Sequence, residues 1–160
     1  MVRRQEQATH AQPDCIFCQI LAGDLPGTFL YRDDYCAAFM DIQPVNPGHI
    51  LVVPREHYES LVDIPPGVAR HLFEVALRLG PIVRRLTQSD GMNVIVNSGV
   101  AAGQDVFHCH AHVIPRRAGD GFEVTLPFPG SNQPDRTQLD AMAARIIGEL
   151  RDPARPTGPA

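Results

Sequence analysis

Phe107-His108-Cys109-His110-Ala111-His112-Val113-Ile114 is the stretch on which the reading of this chain turns. Side chains of an extended strand alternate faces, so His108, His110 and His112 point one way. Phe107, Cys109, Ala111 and Val113 point the other, and the small Cys109 and Ala111 let a helix pack closely. Folding alone gives no reason for three imidazoles on one side of an apolar strand. The plainest reading is three unrelated surface histidines, in a chain with only seven. A second is a three-histidine metal centre, because imidazole is a common zinc ligand. Positions i, i+2 and i+4 of a strand spread over roughly 13 Å, however, so one ion takes at most two of them. The third reading gives the histidines separate tasks around a phosphoryl group: one attacks phosphorus, and its neighbours orient it and bind oxygens.

The rest of the chain supplies a frame for this strand. Val68, Leu72, Val75, Leu79, Ile82 and Leu86 recur at spacings of three and four, which predicts one face of a long helix opening on Pro65-Pro66 and bent by Pro81. Residues 92–97 read as a strand, joined to the histidine strand by the Gly-containing loop 98–105. Upstream, residues 29–32 and 35–40 flank Asp33-Asp34 as a β-hairpin, and residues 49–53 form a third strand between Pro47-Gly48 and Pro54. Residues 15–21 make one or two helical turns stopped by Gly23 and Pro26. A last helix carries Leu139, Met142, Ile146 and Leu150 on one side. The expected fold is α+β: a single domain with a five-stranded, mainly antiparallel sheet, one long helix, a C-terminal helix, and the helices on one face. The domain spans residues 15–150, and residues 1–14 and 151–160 read as flexible tails.

Composition narrows the function classes. The chain has 160 residues, and a domain of that size buries enough surface to fold without disulfides or metal. Net charge is −4, which argues against a phosphate-backbone grip on nucleic acid. All 14 basic residues are Arg, so chemistry needing a Lys Schiff base or a phosphate-loop Lys is excluded. No run of about 18 apolar residues exists to span a membrane, and residues 1–14 lack the apolar stretch of a secretory signal. Four cysteines then suggest reduced thiols or a metal site, and the expected compartment is the cytoplasm.

Several further motifs stand in one order: Phe39-Met40-Asp41-Ile42-Gln43-Pro44, Pro47-Gly48-His49 with Leu51-Val52-Val53-Pro54, residues 93–98, and Gly103-Gln104-Asp105-Val106-Phe107 leading into His-x-His-x-His. This ordered set resembles the histidine triad family, whose signature is His-x-His-x-His followed by two apolar residues. The likeness runs over residues 15–117 and is closest to the Hint-like nucleotide phosphoramidase branch in its bacterial form.

The resemblance implies a nucleotide-binding hydrolase acting on AMP derivatives. His110 takes the nucleophile's position and would attack the α-phosphorus of a nucleoside phosphoramidate, ester or anhydride, giving a covalent nucleotidyl-histidine that water hydrolyses. A pKa near 6.5 keeps such a histidine mostly neutral and nucleophilic. His112 and His49 match positions that face the phosphate and leaving group, and Asp41 matches the acceptor of the ribose hydroxyls. Ile16, Phe17, Ile20 and Ile42 match the positions that sandwich the base, although apolar residues there are equally expected as plain core. Asn97, Gly103 and Gln104 match phosphate-contacting positions. Asp105 departs from the serine of the eukaryotic branch: either its backbone amide serves the phosphate, or its carboxylate faces the leaving group. The Trp-Pro-Pro-Gly tail of that branch is absent.

Cys15-Ile16-Phe17-Cys18 is a Cys-x2-Cys pair with no second pair nearby, equally readable as two free thiols. Bacterial members with such a pair often hold a structural zinc, and the resemblance assigns the other ligands to His57 and His108. A closed Cys2His2 set is structural, so catalysis itself would need no metal. Cys36 and Cys109 read as buried small hydrophobes. Family members pair as homodimers, and here the 92–96 strand and the long helix are apolar enough to cover a partner. The alternatives are a dinucleoside polyphosphate hydrolase, a nucleotide-binding regulatory protein with weak catalysis, and a metalloenzyme with His108 and His110 as ligands.

Overall fold

The first strand pair turns on Asp33. Its Oδ1 accepts from the backbone N–H groups of Tyr35 and Cys36 at 2.8 and 2.7 Å, closing the reversal between β1 (Phe29–Arg32) and β2 (Cys36–Met40). The structure, a computed structural model, describes residues 12–123 and 133–151. β3 (Ile50–Pro54), β4 (Gly91–Ile95) and β5 (Ala111–Arg116) complete a five-stranded antiparallel sheet in the order β1-β2-β3-β5-β4. β3 and β4 both pair antiparallel with β5, so they run parallel to each other and need a long connection. The 22-residue helix α2 (Pro66–Thr87) supplies it, with Pro at its first turn where no intrahelical N–H bond is lost.

Two expectations are corrected here. The helices do not all share one face. Leu72, Val75 and Ala76 of α2 pack with Ala38, Val52, Ala111 and Val113. The short α1 (Ile16–Ala22), stopped by Gly23 at φ 90°, places Phe17 against Ala37, Phe39, Leu51 and Val53, on the other side. β2 and β3 are apolar at every position and buried on both faces, so both faces need cover. The histidine strand is also shorter than the 107–114 alternation predicts. Its ladder with β3 ends at Val52–Ala111; two steps further the same register would set Pro54, which has no N–H, opposite Cys109. Residues 107–110 therefore lie outside the sheet, with the Cys109 N–H donated to the Tyr58 carbonyl at 2.6 Å. Cys109, Ala111 and Val113 still face α2, whereas Phe107 is 41% exposed and outside the core.

Cys36 and Cys109 are fully buried, and burial, with Asp33 and Cys109 adding for the former and Asp63 for the latter, pushes their thiols up to about 12 and about 11. They are inert small hydrophobes. Residues up to Asp120 form one compact unit, and a second begins at Gly121. The second contains α3 (Arg136–Leu150), opened by an Asp135–Gln138 capping box. Leu139, Met142, Ile146 and Leu150 are exposed on it. Residues 1–11 and 152–160 of the expected tails lie outside the described residues.

Candidate active site

Asp41 reaches His49 through the register of β2 and β3. Met40 pairs with Ile50, and one step further out the Asp41 N–H donates to the His49 carbonyl at 3.1 Å. Gly48, at φ 94°, makes the turn into His49, and a Cβ there would lie 2.6 Å from Thr87 Cγ2. The His49 side chain is buried, and its Nδ1 accepts the Val45 N–H at 3.2 Å. Nδ1 so occupied, the proton is on Nε2, which donates to His112 Nδ1 at 3.0 Å. His112 in turn keeps its proton on Nε2, the last donor of the chain Val45–His49–His112. Asp41 Oδ2 lies 3.3 Å from His49 Nδ1, while Oδ1 accepts the Gln43 N–H at 2.8 Å.

His110 is 4% exposed and sits one residue before β5. Its Nδ1–H donates to the His108 carbonyl at 2.7 Å, so Nε2 carries the lone pair. Its ring lies 4.8 Å from that of His112, and Phe17 meets it edge-on at 5.1 Å. Burial lowers the pKa of His110 against the opposing pull of the His108 carbonyl, Asp41 and Asp105. His49 is also lowered by burial, and His112 falls to about 4 through burial and then its neighbours His110 and His49. The three imidazoles are thus neutral at neutral pH. The arrangement offers one lone pair, one N–H donor and one carboxylate around a common space.

The remaining expected contacts divide. Ile42 and Ile16 are 87% and 43% exposed, apolar side chains left open. Phe17 is buried beneath His110 and Ile20 packs in the same cluster, so both support the site from the core. Asn97 Nδ2 donates to the Gly103 carbonyl at 3.1 Å, which fixes the loop against the end of β4. Gly103 takes φ 81°, open to glycine. Gln104 is buried, with Oε1 accepting from the Gly99 N–H and Nε2 donating to the Glu59 and Val106 carbonyls. Its amide is fully engaged in shaping the loop. Asp105 is exposed, and its charge reaches both His110 and His112. Sequence reasoning missed Val45, Pro54, Tyr58 and Glu59, which act through backbone groups and leave no side-chain signal.

Cys15, Cys18, His57 and His108 converge on a point beside this site. Cys15 Sγ and Cys18 Sγ lie 3.5 and 3.6 Å from His108 Nδ1, and Cys18 Sγ is 3.4 Å from His57 Nδ1. A tetrahedral zinc with ordinary Zn–S and Zn–N bonds separates its sulfur and nitrogen ligands by about 3.5 Å. His108 is fully buried and donates its Nε2–H to the Pro54 carbonyl at 2.9 Å, which leaves Nδ1 as the ligand atom. The residues present fit zinc.

Known proteins share the sequence and fold of this chain. The HIT domain model matches residues 22–119. Adenylylsulfatase HINT3 of Arabidopsis thaliana is 39% identical over 145 residues, 91% of this chain and 72% of that protein. The crystal structure of a Streptococcus mutans protein superposes with a TM-score of 0.83 at 33% identity, covering 94% of this chain and all of that one. A zinc-bound histidine triad family protein from Mycobacterium smegmatis matches with a TM-score of 0.65 at 35% identity, over 85% of this chain and 97% of its own. With the domain match and the fold in agreement, the chain belongs to the HIT family.

Proposed function

We propose that this protein is a nucleotidyl hydrolase that cleaves the α-phosphate bond of adenylated compounds, nucleoside phosphoramidates foremost, through a nucleotidyl-histidine at His110. The single observation that carries this reading is the 2.7 Å bond from His110 Nδ1–H to the His108 carbonyl, which directs the lone pair of a buried, neutral imidazole outward on Nε2. Nε2 attacks the α-phosphorus, and the bond to the leaving group breaks with its electron pair on that group. His112 Nε2–H supplies the proton, and His49 Nε2–H is placed to replace it through His112 Nδ1. The positive charge that the attack leaves on His110 is met by the His108 carbonyl. Water then attacks phosphorus and the P–N bond breaks with its electron pair on His110 Nε2; the water's proton passes to His112 Nε2 as the His112 Nδ1 proton returns to His49, restoring all three histidines and releasing the nucleoside monophosphate. Asp41 takes the ribose hydroxyls, and Ile16 and Ile42 flank the base. A relative named for adenylyl sulfate supports the bond class while differing in leaving group.

In this reading zinc is structural, held by Cys15, Cys18, His57 and His108, and no metal takes part in the chemical step itself, because imidazoles and backbone amides stabilise the transition state. The protein works as a cytoplasmic homodimer. β4 is an edge strand, and Phe73, Leu77, Ile82 and Leu86 of α2 are exposed; sedimentation of a 17.6 kDa particle at micromolar concentration would contradict the dimer. Among the described residues no helix is long and apolar enough to cross a membrane. The test of function is a panel of adenylated amines, adenylyl sulfate and diadenosine polyphosphates, assayed with wild type and His110→Ala. His110→Ala should lose at least 1000-fold in kcat yet bind AMP, and quenched wild type should carry a nucleotidyl mass on the His110 peptide. Activity of the variant within tenfold of wild type would sink the assignment.

A further inference from the structure

His110 is the reacting residue of the proposal above, yet it lies where the sheet no longer holds the chain. β5 begins at Ala111, and its ladder with β3 stops at Val52–Ala111. Other contacts fix residues 108–110 instead, among them the His108 N–H donated to the Val106 carbonyl at 2.9 Å. The Cys109 N–H bonds to the Tyr58 carbonyl at 2.6 Å, the His108 Nε2–H bonds to the Pro54 carbonyl at 2.9 Å, and His108 Nδ1 faces Cys15 and Cys18. Pro54 and Tyr58 bracket His57, another member of the same cluster. The cluster therefore ties three otherwise separate segments: the start of α1, the chain leaving β3, and the chain entering β5. His108 belongs to both systems, since its ring enters the cluster while its carbonyl holds His110 Nδ1–H at 2.7 Å. Phe17, between the two cysteines in sequence, packs edge-on to both the His108 and the His110 rings.

We propose that the Cys15–Cys18–His57–His108 cluster is the positioning device of the nucleophile, with His108 as the positioning residue, so that a thiophilic tetrahedral cation such as zinc sets the catalytic competence of His110. The proposal rests on the nucleotidyl-hydrolase reading for its kinetic arm only. A ring held by the cluster fixes the orientation of the 108–109 peptide, and with it the direction and tautomer of His110. A cluster that opens leaves that peptide without a ladder bond, held only by the loop bonds of the His108 N–H to Val106 and the Cys109 N–H to Tyr58, and so free to reorient. Of the contacts proposed for the nucleotide, Asp41 follows β2 and Ile42 follows Asp41, both outside the staple, and Ile16 alone lies within it.

The test uses full-length protein, loaded with zinc or stripped by chelation, with metal content measured directly. The hydrogen-bonded His110 Nδ1–H gives an imidazole proton signal, identified by its loss in His110→Ala. That signal should be present in the loaded protein, vanish on stripping, and return with zinc. In parallel kcat should fall at least tenfold while KM for an adenosine phosphoramidate stays within threefold. His57→Asn, which removes a ligand outside α1 and β5, should behave like the stripped protein. Cys15→His, which keeps a ligand atom, should lose the proton signal and kcat together on stripping and recover both together as zinc is added back. Where the stripped protein unfolds, His57→Asn and Cys15→His carry the comparison. A metal-free protein with an intact Nδ1–H signal overturns the proposal, as does a loss confined to melting temperature or KM. Wild type that turns over no adenylated compound refutes the functional reading instead, and leaves the proton signal to decide this one.

Discussion

The proton on each imidazole is set by a different partner, and acid should reveal it. His112 is pushed down to about 4 by burial and its neighbours, and burial lowers His49 as well. A group with a lowered pKa stays neutral further into acid, and His110 is lowered by burial too, so the acid limb of kcat/KM should lie below pH 6.5 for a substrate that does not itself titrate there. A limb centred at 6.5 or above would mean that these rings are charged in the resting site. Asp105 is the other residue whose role can be weighed. At an effective dielectric of about 20 a unit charge at roughly 6 Å from another is worth nearly 3 kcal/mol before screening. An exposed carboxylate keeps a fraction of that, so about fivefold to tenfold in preference is expected. Wild type should favour adenosine phosphoramidates over diadenosine polyphosphates, and Asp105→Ser should improve the dinucleotide more than the amide. Preference of wild type for the dinucleotide would make the polyphosphate hydrolase the better reading.

The turn that precedes β3 is a tight constraint of the fold. Gly48→Ala puts a Cβ at φ 94° and 2.6 Å from Thr87 Cγ2, with Val83 Cγ1 at 3.3 Å. Destabilisation of about 1–3 kcal/mol should follow, with KM rising as His49 and Asp41 lose their alignment. Denaturant melts showing no change would mean that the turn relaxes freely. The elements themselves were legible in the sequence because their signals are local: a β-hairpin around Asp33-Asp34, a three-and-four apolar spacing through Leu72 and Val75, glycines at Gly23 and Gly48. The histidine alternation was legible too, and it persists past the strand that was expected to cause it. What was not legible is non-local. The end of β5 depends on Pro54 arriving opposite Cys109, and the position of α1 depends on which sheet face α2 leaves uncovered. The family resemblance places Gln104 at a phosphate-contacting position, and only the paths of the Gly99, Glu59 and Val106 backbones reveal that its amide is engaged.

At the scale of the whole molecule, β1–β2 and α2 are also joined by an ion pair. His71 Nε2 lies 2.6 Å from Asp33 Oδ2, which also accepts from the Tyr31 hydroxyl, and Glu74 stands 3.5 Å from His71 Nδ1. The Asp33 bond raises the His71 pKa against burial, with Glu74 adding. Burial disfavours the Asp33 charge, but hydrogen bonds from Tyr31, Cys36, His71 and Tyr35 overcome it and hold the carboxyl well below the usual range. A raised histidine stabilises below its unfolded value near 6.5 and loses that contribution as pH rises through the folded one; a lowered carboxylate stabilises above about 4 and loses it in acid. Both act together from about pH 4 to 6.5. His71→Gln should therefore cost about 0.5–1 kcal/mol at pH 5.5 and less at pH 8.5, read from urea melts. An equal loss at both values would make the contact merely steric. The division of the core by the sheet has one more consequence. α2 covers the larger apolar cluster, and a seven-residue helix tethered at Cys15 and Cys18 covers the other. Amide hydrogen exchange should report two tiers of opening, slowest through α2 and the β5 centre and faster on the α1 side. Chelation should quicken only the second tier. The molecule would then have a rigid back that never senses the nucleotide and a yielding front that can open to admit it without unfolding the whole.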